Sequence, residues 1–157
     1  MKISVRPADF DLGAEIAELR ANRTAIGAVA SFVGLVRHSN DGNAITAMTL
    51  EHYPAMTDKS LRDIVNQAMQ RWQIIDATVI HRIGDLLPGD QIVLVAVAAT
   101  HRHDAFFACE FIMDWLKSSA PFWKKEQTTQ GSYWVAARPA DTLAAEQWPE
   151  PNQPARR

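Results

Sequence analysis

The sequence is poor in the features that mark secreted, membrane and metal-binding proteins. Its only cysteine is Cys109, which excludes an internal disulfide framework and a cysteine-based zinc site. No apolar run approaches the length of a membrane-spanning helix, and the first residues lack the apolar region of a signal peptide. A net charge of -2 argues against a surface that binds nucleic acid or anionic lipid as a whole. We therefore expect a cytoplasmic protein without nucleic-acid or membrane contacts, in which any anion site is local.

Three motifs of nucleotide-binding and ester-cleaving enzymes are also absent. The 157 residues contain no phosphate-binding loop, no GxGxxG and no GxSxG. This absence removes support for a classical nucleotide-binding enzyme and for a serine hydrolase. The length fits one domain with a substantial core.

The hydrophobic pattern predicts an α+β domain. Apolar residues at helical spacing indicate helices, and apolar or alternating runs indicate strands. The stretch GDLLPGD between two of the strands predicts an antiparallel hairpin. Helices are predicted over 11–22, 57–72 and 104–119, and strands over 27–36, 45–53, 76–83, 91–99 and 132–137.

Several residues predict where these elements begin and end. Thr57 is the expected N-cap of the second helix, and Pro121 ends the third. HSNDGN at 38–43 has the composition of a polar loop. Four of the eight prolines lie in 139–157, so we expect an extended or mobile tail after a domain that spans 1–138.

Lysine is scarce, and its distribution is uneven. Three of the five lysines, Lys117, Lys124 and Lys125, lie in LKSSAPFWKKE at 116–126, beside Pro121 and two aromatic residues. A desolvated lysine near other cations has a lowered pKa, which makes its amine available as a base or nucleophile. The spacing leaves two interpretations open: a helix end with solvated lysines, or a cationic pocket with apolar walls.

A second basic cluster follows a predicted strand. Thr100, His101, Arg102 and His103 precede a helix, where backbone N–H groups and an arginine suit a phosphate. A capping histidine beside a surface arginine explains the same residues. A His-x-His metal site has little support, because Asp104 is the only carboxylate nearby.

Three other positions are ambiguous or structural. Arg37 ends the strand 27–36 at the start of the polar loop, which suits a ligand contact and equally a plain surface residue. His81 and Arg82 lie inside a strand, and we interpret them as structural. Cys109 lies on the apolar face of its helix, so we expect it to be buried.

Four stretches resemble the large, catalytic subunit of molybdopterin synthase in sequence, order and spacing. They are FVGLVR at 32–37, LEHYPAMT at 50–57, VIHRIGDLLPGD at 79–90, and the run from THR at 100–102 through FIMDWLKSSAPFWKKE at 111–126. The similarity extends over 27–138, which is most of the chain. After VR the family shows a polar stretch such as Asn-His-Asn, whereas His38-Ser39-Asn40 stands here, so no role is carried over to the shifted histidine.

The resemblance implies a reaction and a set of partners. The family inserts two sulfur atoms into cyclic pyranopterin monophosphate, which forms the dithiolene of molybdopterin. Each sulfur arrives as a thiocarboxylate on the C-terminal glycine of a small ubiquitin-like subunit. The large subunit forms a homodimer within a heterotetramer, and no metal or other cofactor is implied. The implied fold is a mostly antiparallel sheet with packed helices in a single α/β-hammerhead-like domain.

The resemblance also implies site residues. Lys117 corresponds to the catalytic lysine, which handles protons or transiently captures the partner's glycine carbonyl, and Lys124 is a second active-site lysine. Arg138 is a further candidate that reaches a neighbouring subunit's pocket. The implied substrate contacts are Leu35, Val36, Arg37, His101, Arg102, Lys117, Lys124, Lys125 and Glu126. The arginines and the histidine of this set are expected to hold the phosphate and the pterin.

Two other functions share part of this site. A non-catalytic module could grip a ubiquitin-like tail in a basic groove without needing Lys117 as a chemical group. A small phosphate-ester hydrolase would act without any thiocarboxylate partner. Loss of Lys117 and omission of the partner therefore separate the three functions.

Overall fold

A computed structural model describes residues 1–136 and 138–148, which form four helices and nine strands. None of the described helices is long and apolar enough to cross a membrane. The helices are Leu12–Arg20 (α1), Pro54–Arg71 (α2), Arg102–Ser118 (α3) and Pro139–Glu146 (α4). The strands are Lys2–Arg6 (β1), Ala28–Leu35 (β2), Ser39–Asn40 (β3), Asn43–His52 (β4), Ile74–Arg82 (β5), Gly84–Leu86 (β6), Gln91–Ala99 (β7), Phe122–Thr128 (β8) and Gly131–Val135 (β9).

The first sheet, in the order β1-β5-β7-β2, forms the centre of the protein. The predicted hairpin is confirmed, because β5 and β7 pair in antiparallel fashion with Ile80 opposite Leu94. Helices α2 and α3 pack on one face of this sheet, and α1 packs on the other. This double cover explains why β7 is a continuous apolar run rather than an alternating one.

The second sheet is built around β4. This strand pairs with β8 from Ile45 to His52, with β6 at Met48–Leu50, and with the short strand β3. β9 lies beyond β8 at the edge. Because β6 belongs to the connection between β5 and β7, the hairpin of the first sheet supplies a strand to the second.

The α+β prediction is confirmed, and among the pairings of the described strands only β1 with β5 is parallel. The hydrophobic pattern indicates neither β1 nor β8. The stretch FWKKEQT of β8 carries three charged residues and follows a helix directly, so it has the composition of a solvated helix end. The strand forms because its neighbours β4 and β9 pair with both of its edges.

Thr57 was predicted as the N-cap of α2, and this prediction is wrong. The helix begins three residues earlier at Pro54, and Tyr53 is the N-cap. A proline at the start of a helix costs no hydrogen bond, since that N–H has no partner within the helix. Thr57 is instead buried in the first turns, where its hydroxyl donates to Tyr53 O at 2.8 Å.

The prediction of an extended or mobile tail from 139 onward is wrong for its first part. Pro139–Glu146 form α4, because proline is tolerated in the first turn of a helix. Trp148 follows this helix and lies edge-on to Trp72, with the ring centroids 5.6 Å apart. Its indole N–H donates to Asp114 Oδ2 at 2.8 Å, which ties the end of α4 to α3. Residues 149–157 lie outside the described residues.

Candidate active site

A cleft of about 490 Å³ lies where the two sheets meet the C-terminal end of α3. Apolar side chains from both sides line it, including Met48 and Leu50 of β4 and Met113 and Leu116 of α3. Its charged lining residues are the cations Arg37, Lys117, Lys124 and Arg138 and the carboxylates Glu126 and Asp141. Four cations against two carboxylates favour an anionic ligand.

Lys117 lies in the last turn of α3 and lines the cleft. A cation in this turn interacts favourably with the helix dipole. The helix ends directly afterwards, where Ser119 N donates to Trp115 O at 2.8 Å and the Ser118 hydroxyl donates to Asp114 O at 2.8 Å. Among the described residues, Lys117 forms no ion pair with a carboxylate, so its amine is available to a ligand.

Lys124 and Lys125 point to opposite faces of β8. Lys124 lines the cleft, and its Nζ lies 3.0 Å from Oε1 of the buried Glu126 two residues further on. Residues i and i+2 share a face of a strand, which explains this pair. Lys125 does not line the cleft; its Nζ lies 5.7 Å from the centre of the Trp134 ring on the other face. Within one chain, Lys125 therefore lies on the face of β8 that points away from the cleft.

Arg37 and Arg138 meet at Asn40. The Oδ1 atom of Asn40 accepts from Arg37 Nη2 at 3.1 Å and also from Arg138 Nη2. The Nδ2 atom of Asn40 donates to the two carboxylate oxygens of Glu126, at 3.2 and 3.0 Å. Arg138 also lies 3.4 Å from Asp41 Oδ1. Arg138 thus reaches the cleft of its own chain.

A tight turn positions Asn40. Asp41 and Gly42 have φ angles of 48° and 84°, and positive φ at both central residues is what a type I′ hairpin turn requires. The composition of 38–43 predicts a polar loop, and the structure shows a tight hairpin there. The Asp-Gly pair was the signal that could have found it.

Leu35 and Val36 differ in exposure. Leu35 is 54% exposed and lines the cleft. Val36 is 3% exposed and packs with Met48 and Leu50. Its backbone is also occupied, because Val36 N donates to Asp90 O at 2.9 Å and Val36 O accepts from the backbone N–H of residue 89 at 2.8 Å. Val36 therefore packs behind two residues that line the cleft and does not line the cleft itself.

His101 and Arg102 lie far from Lys117 within one chain. They stand at the start of α3, where His101 is the N-cap, and neither lines the cleft. Arg102 and Lys117 are separated by most of the helix, which at 1.5 Å per residue corresponds to roughly 22 Å. The structure therefore does not bring these expected phosphate-binding residues together with Lys117 in a single chain.

His81 lines the cleft, although the sequence analysis treated it only as structural. Its ring stacks on Phe122 with the centroids 3.8 Å apart, and its Nδ1 lies 2.8 Å from Arg82 O. Burial lowers the pKa of His81 to about 4, because the charged ring loses its hydration. The imidazole is therefore neutral at neutral pH. Because His81 is buried inside a strand, nothing in the sequence distinguishes it from a purely structural residue.

Cys109 packs in the apolar core and does not line the cleft. Cys109 is buried as predicted, and burial raises the pKa of its thiol to about 12. Within residues 1–136 and 138–148, no group of three or more His, Cys, Asp or Glu side chains is arranged to hold a metal ion.

The cleft can bind a ligand that combines an anion with an apolar or planar part. The arginines supply charge-assisted hydrogen bonds to phosphate oxygens, and the apolar wall accepts a ring or an extended chain. Lys117 adds an amine that can transfer a proton or attack a carbonyl carbon.

Known proteins match this chain along most of its length. The model of the family described as MoaE protein matches residues 5–119. The molybdopterin synthase catalytic subunit of Ralstonia nicotianae is 66% identical over 146 residues, which cover 93% of this chain and 83% of that protein.

Solved structures agree with this match. The molybdopterin biosynthesis MoaE protein from Burkholderia ambifaria has a TM-score of 0.81 at 53% identity, covering 94% of this chain and 97% of that one. A chain from the protein–protein complex of subunits 1 and 2 of molybdopterin-converting factor from Helicobacter pylori has a TM-score of 0.69 at 23% identity, covering 87% of this chain and 90% of that one, and shares the fold. From the family match and the identity to the Ralstonia protein together, it follows that the chain belongs to the MoaE family.

Proposed function

We propose that this chain is the catalytic subunit of a molybdopterin synthase. It transfers two sulfur atoms from the C-terminal thiocarboxylate of a small ubiquitin-like carrier to cyclic pyranopterin monophosphate, which forms the dithiolene of molybdopterin. The Ralstonia relative is named as a molybdopterin synthase catalytic subunit. The observation that supports this role most directly is the placement of Lys117, without a carboxylate partner among the described residues, in a cleft lined by three further cations.

The cleft offers a place for each part of the two substrates. Arg37 and Arg138 lie together and can bind the phosphate of the cyclic monophosphate. The apolar side chains Met48 and Leu116 offer a surface to the pterin ring. Leu35 is exposed at this cleft, where an extended carrier tail can pass.

The two lysines have different roles in this proposal. Lys117 transfers protons, or transiently captures the terminal glycine carbonyl of the carrier, while sulfur adds to the pterin. Lys124 is held by Glu126 at 3.0 Å and offsets the negative charge of the thiocarboxylate. His101 and Arg102 bind the same phosphate or pterin only if a second copy of the chain supplies them, because they lie at the far end of α3.

The proposed assembly is therefore a homodimer within a heterotetramer. The composite site needs His101 and Arg102 from one copy and Lys117 from the other. The Helicobacter pylori structure is a complex of two different subunits, which supports a small partner subunit for this chain as well. In this arrangement each end of the dimer receives one carrier.

Reconstitution tests the reaction. The protein is incubated with the thiocarboxylated carrier and the cyclic monophosphate, and the product is detected by mass spectrometry. Lys117→Ala is expected to lower kcat by about 10²–10⁴-fold, because a proton-transfer group is lost, while carrier binding stays unchanged. Lys125→Ala, which removes a lysine outside the cleft, is the control and should keep normal activity.

The outcomes separate the candidate functions. If wild-type protein binds the carrier but makes no product, the chain is a binding module rather than an enzyme. A Lys117→Ala variant that forms molybdopterin at the normal rate would refute the proposed role of the lysine. Turnover of the phosphorylated pterin in the absence of the carrier would indicate a hydrolase.

Mixed dimers test the composite site. Lys117→Ala and Arg102→Ala are prepared as separate inactive proteins, unfolded together and refolded. If each site takes Lys117 from one copy and Arg102 from the other, a mixed dimer contains one intact site, and the mixture recovers about a quarter of wild-type activity. Absence of any recovery, with dimers present by size-exclusion chromatography, would contradict the composite site.

A further inference from the structure

Asn40 lies between the arginines of the cleft and the buried carboxylate of Glu126. Its Oδ1 accepts from Arg37 and Arg138, and its Nδ2 donates to both oxygens of Glu126. Arginine offers only donors and an ionised carboxylate only acceptors, so these partners fix the orientation of the amide. A single neutral side chain thus connects the two ends of the charged cluster.

Glu126 depends on this contact. Its side chain is 6% exposed, and a buried carboxylate that lacks partners is costly. Lys124 Nζ, at 3.0 Å from Oε1, and Asn40 Nδ2 together satisfy its oxygens. Because Glu126 is already engaged by these partners and would repel a phosphate, it acts on the protein side of the cleft rather than as a contact for the anionic substrate.

The neutrality of Asn40 also matters for the charge of the cluster. Arg37, Arg138 and Lys124 outnumber Glu126 and Asp41 within the group of contacting side chains. An aspartate at position 40 would accept from the arginines equally well. However, it would cancel the excess positive charge and would place two carboxylates against each other.

The hairpin that carries Asn40 does not need the amide for its own structure. Its turn is set by Asp41 and Gly42, and the backbone N–H of Ile45 donates to His38 O at 2.9 Å. The side-chain contacts of Asn40 are therefore not needed for the turn, and they join the hairpin to the cleft.

We propose that Asn40 is a positioning residue that holds Arg37 and Arg138 on one side and the Glu126–Lys124 pair on the other in one fixed geometry. The proposal rests on the proposed sulfur-transfer function, since the geometry that it fixes is the one that binds the phosphorylated substrate. Asn40 itself does not contact the reacting atoms.

Exchanging the amide of Asn40 and the carboxylate of Glu126 tests this positioning role in the reconstituted reaction. Asn40→Asp should lower kcat/KM by about tenfold or more, because the hydrogen bond to Glu126 is replaced by repulsion. Combining it with Glu126→Gln restores a donor opposite an acceptor and keeps the charge of the cluster. The double variant should therefore be several-fold more active than Asn40→Asp alone.

Asn40→Ala and a neighbouring control separate positioning from folding. Asn40→Ala should raise KM for the cyclic monophosphate by about tenfold without changing the Kd for the carrier, and circular dichroism should show a folded protein at the assay temperature. Asn43→Asp adds the same charge to the same hairpin at an exposed position and should retain normal KM. If Asn40→Ala has normal KM, or if the double variant is no more active than Asn40→Asp, the proposal is wrong.

Binding of inorganic phosphate provides a test that does not depend on the reaction. Phosphate is titrated into wild-type and Asn40→Ala protein and followed by NMR. The variant should bind about tenfold more weakly, because the two arginines are no longer held together. Equal phosphate affinity would overturn the proposal. A failure of wild-type protein to make product, with phosphate binding weakened by Asn40→Ala, would instead overturn the sulfur-transfer function alone.

Discussion

The two sheets of this protein differ in what covers them. The first sheet is enclosed by helices on both faces, and Leu94, Val95 and Ile80 have no exposed surface. The second sheet has one face on the cleft, whereas its other face exposes Trp123 by 43% and Trp134 by 55%. Stability is therefore concentrated in the first sheet, and the second sheet is free to carry charged groups.

The difference explains how one small domain holds a cationic cleft. Repulsion between Arg37, Lys117, Lys124 and Arg138 opposes folding locally, and it must be offset by burial elsewhere. The apolar clusters on the two faces of the first sheet supply that burial. Substitutions in the first sheet should thus change stability, and substitutions at the cleft should change activity.

Leu94→Ala gives the largest expected effect on stability. It removes a fully buried side chain that packs toward α1, so the free energy of unfolding should fall by about 2–5 kcal/mol in a urea titration. Activity per folded molecule should be unchanged. The control is Leu87→Ala, which shortens a leucine that is 61% exposed and should change the free energy by less than about 0.5 kcal/mol.

A loss of specific activity in Leu94→Ala, under conditions where the protein remains folded, would contradict the expectation that the first sheet affects stability and not activity. It would mean that the packing of the first sheet also sets the geometry of the cleft.

His81 belongs to the first sheet and also lines the cleft, so it tests how burial in the first sheet affects a residue of the cleft. Its pKa is about 4 in the folded protein and 6.5 in the unfolded chain, so the unfolded state binds a proton first as the pH falls. The neutral ring therefore contributes stability that is complete above pH 6.5 and is lost progressively toward pH 4. The loss should be about 3 kcal/mol.

His81→Asn should flatten the dependence of the free energy of unfolding on pH between 6.5 and 4. His103→Asn is the matched control for the substitution itself, because it makes the same change at a ring that is 63% exposed. Equal slopes for wild-type protein and His81→Asn would show that the ring is charged in the folded state.

Trp148→Ala tests whether the packing of Trp148 against the helices of the first sheet also positions Arg138 at the cleft. The indole packs against Trp72 and donates to Asp114, and it anchors the helix that begins next to Arg138. The free energy of unfolding should fall by about 1–2 kcal/mol, and KM for the phosphorylated substrate should rise several-fold. Leu143→Ala, in the same helix at a position 66% exposed, should have neither effect.

Lys125→Ala should have the smallest effect. It removes a half-buried lysine whose ammonium lies over the exposed ring of Trp134, a contact worth about 0.5–1 kcal/mol at most. Urea titration should show a change within this range, and activity should stay within twofold. A large loss of activity would show that the outer face of the second sheet also contacts substrate or carrier.

Sequence patterns predicted the first sheet better than the second, for a physical reason. Burial on both faces makes β7 a continuous apolar run and β5 a mostly apolar one, and such runs can be recognised without knowing the neighbours. β8 has charged residues because one face meets the cleft, so its local composition resembles a helix end. Only its pairing with β4 and β9 makes it a strand, and that pairing is not local.

The cleft was predictable in part. The positions of Lys117, Lys124 and Arg37 followed from motifs, and the structure brings these three residues to one cleft. Asn40 and His81 were missed because their importance comes from contacts with residues that are distant in sequence. Lys125, Val36 and Arg102 do not line this cleft in the single chain, since strand alternation, burial and helix length place those side chains elsewhere.

The strand β6 ties the two sheets together through the main chain. Residues Gly84–Leu86 lie in the connection between β5 and β7, yet they hydrogen-bond to β4. The second sheet therefore cannot peel away without disturbing the turn that joins the two central strands of the first. In a hydrogen-exchange experiment the backbone amides of β4 should therefore exchange as slowly as those of β5 and β7, because all three strands open only when the whole domain unfolds.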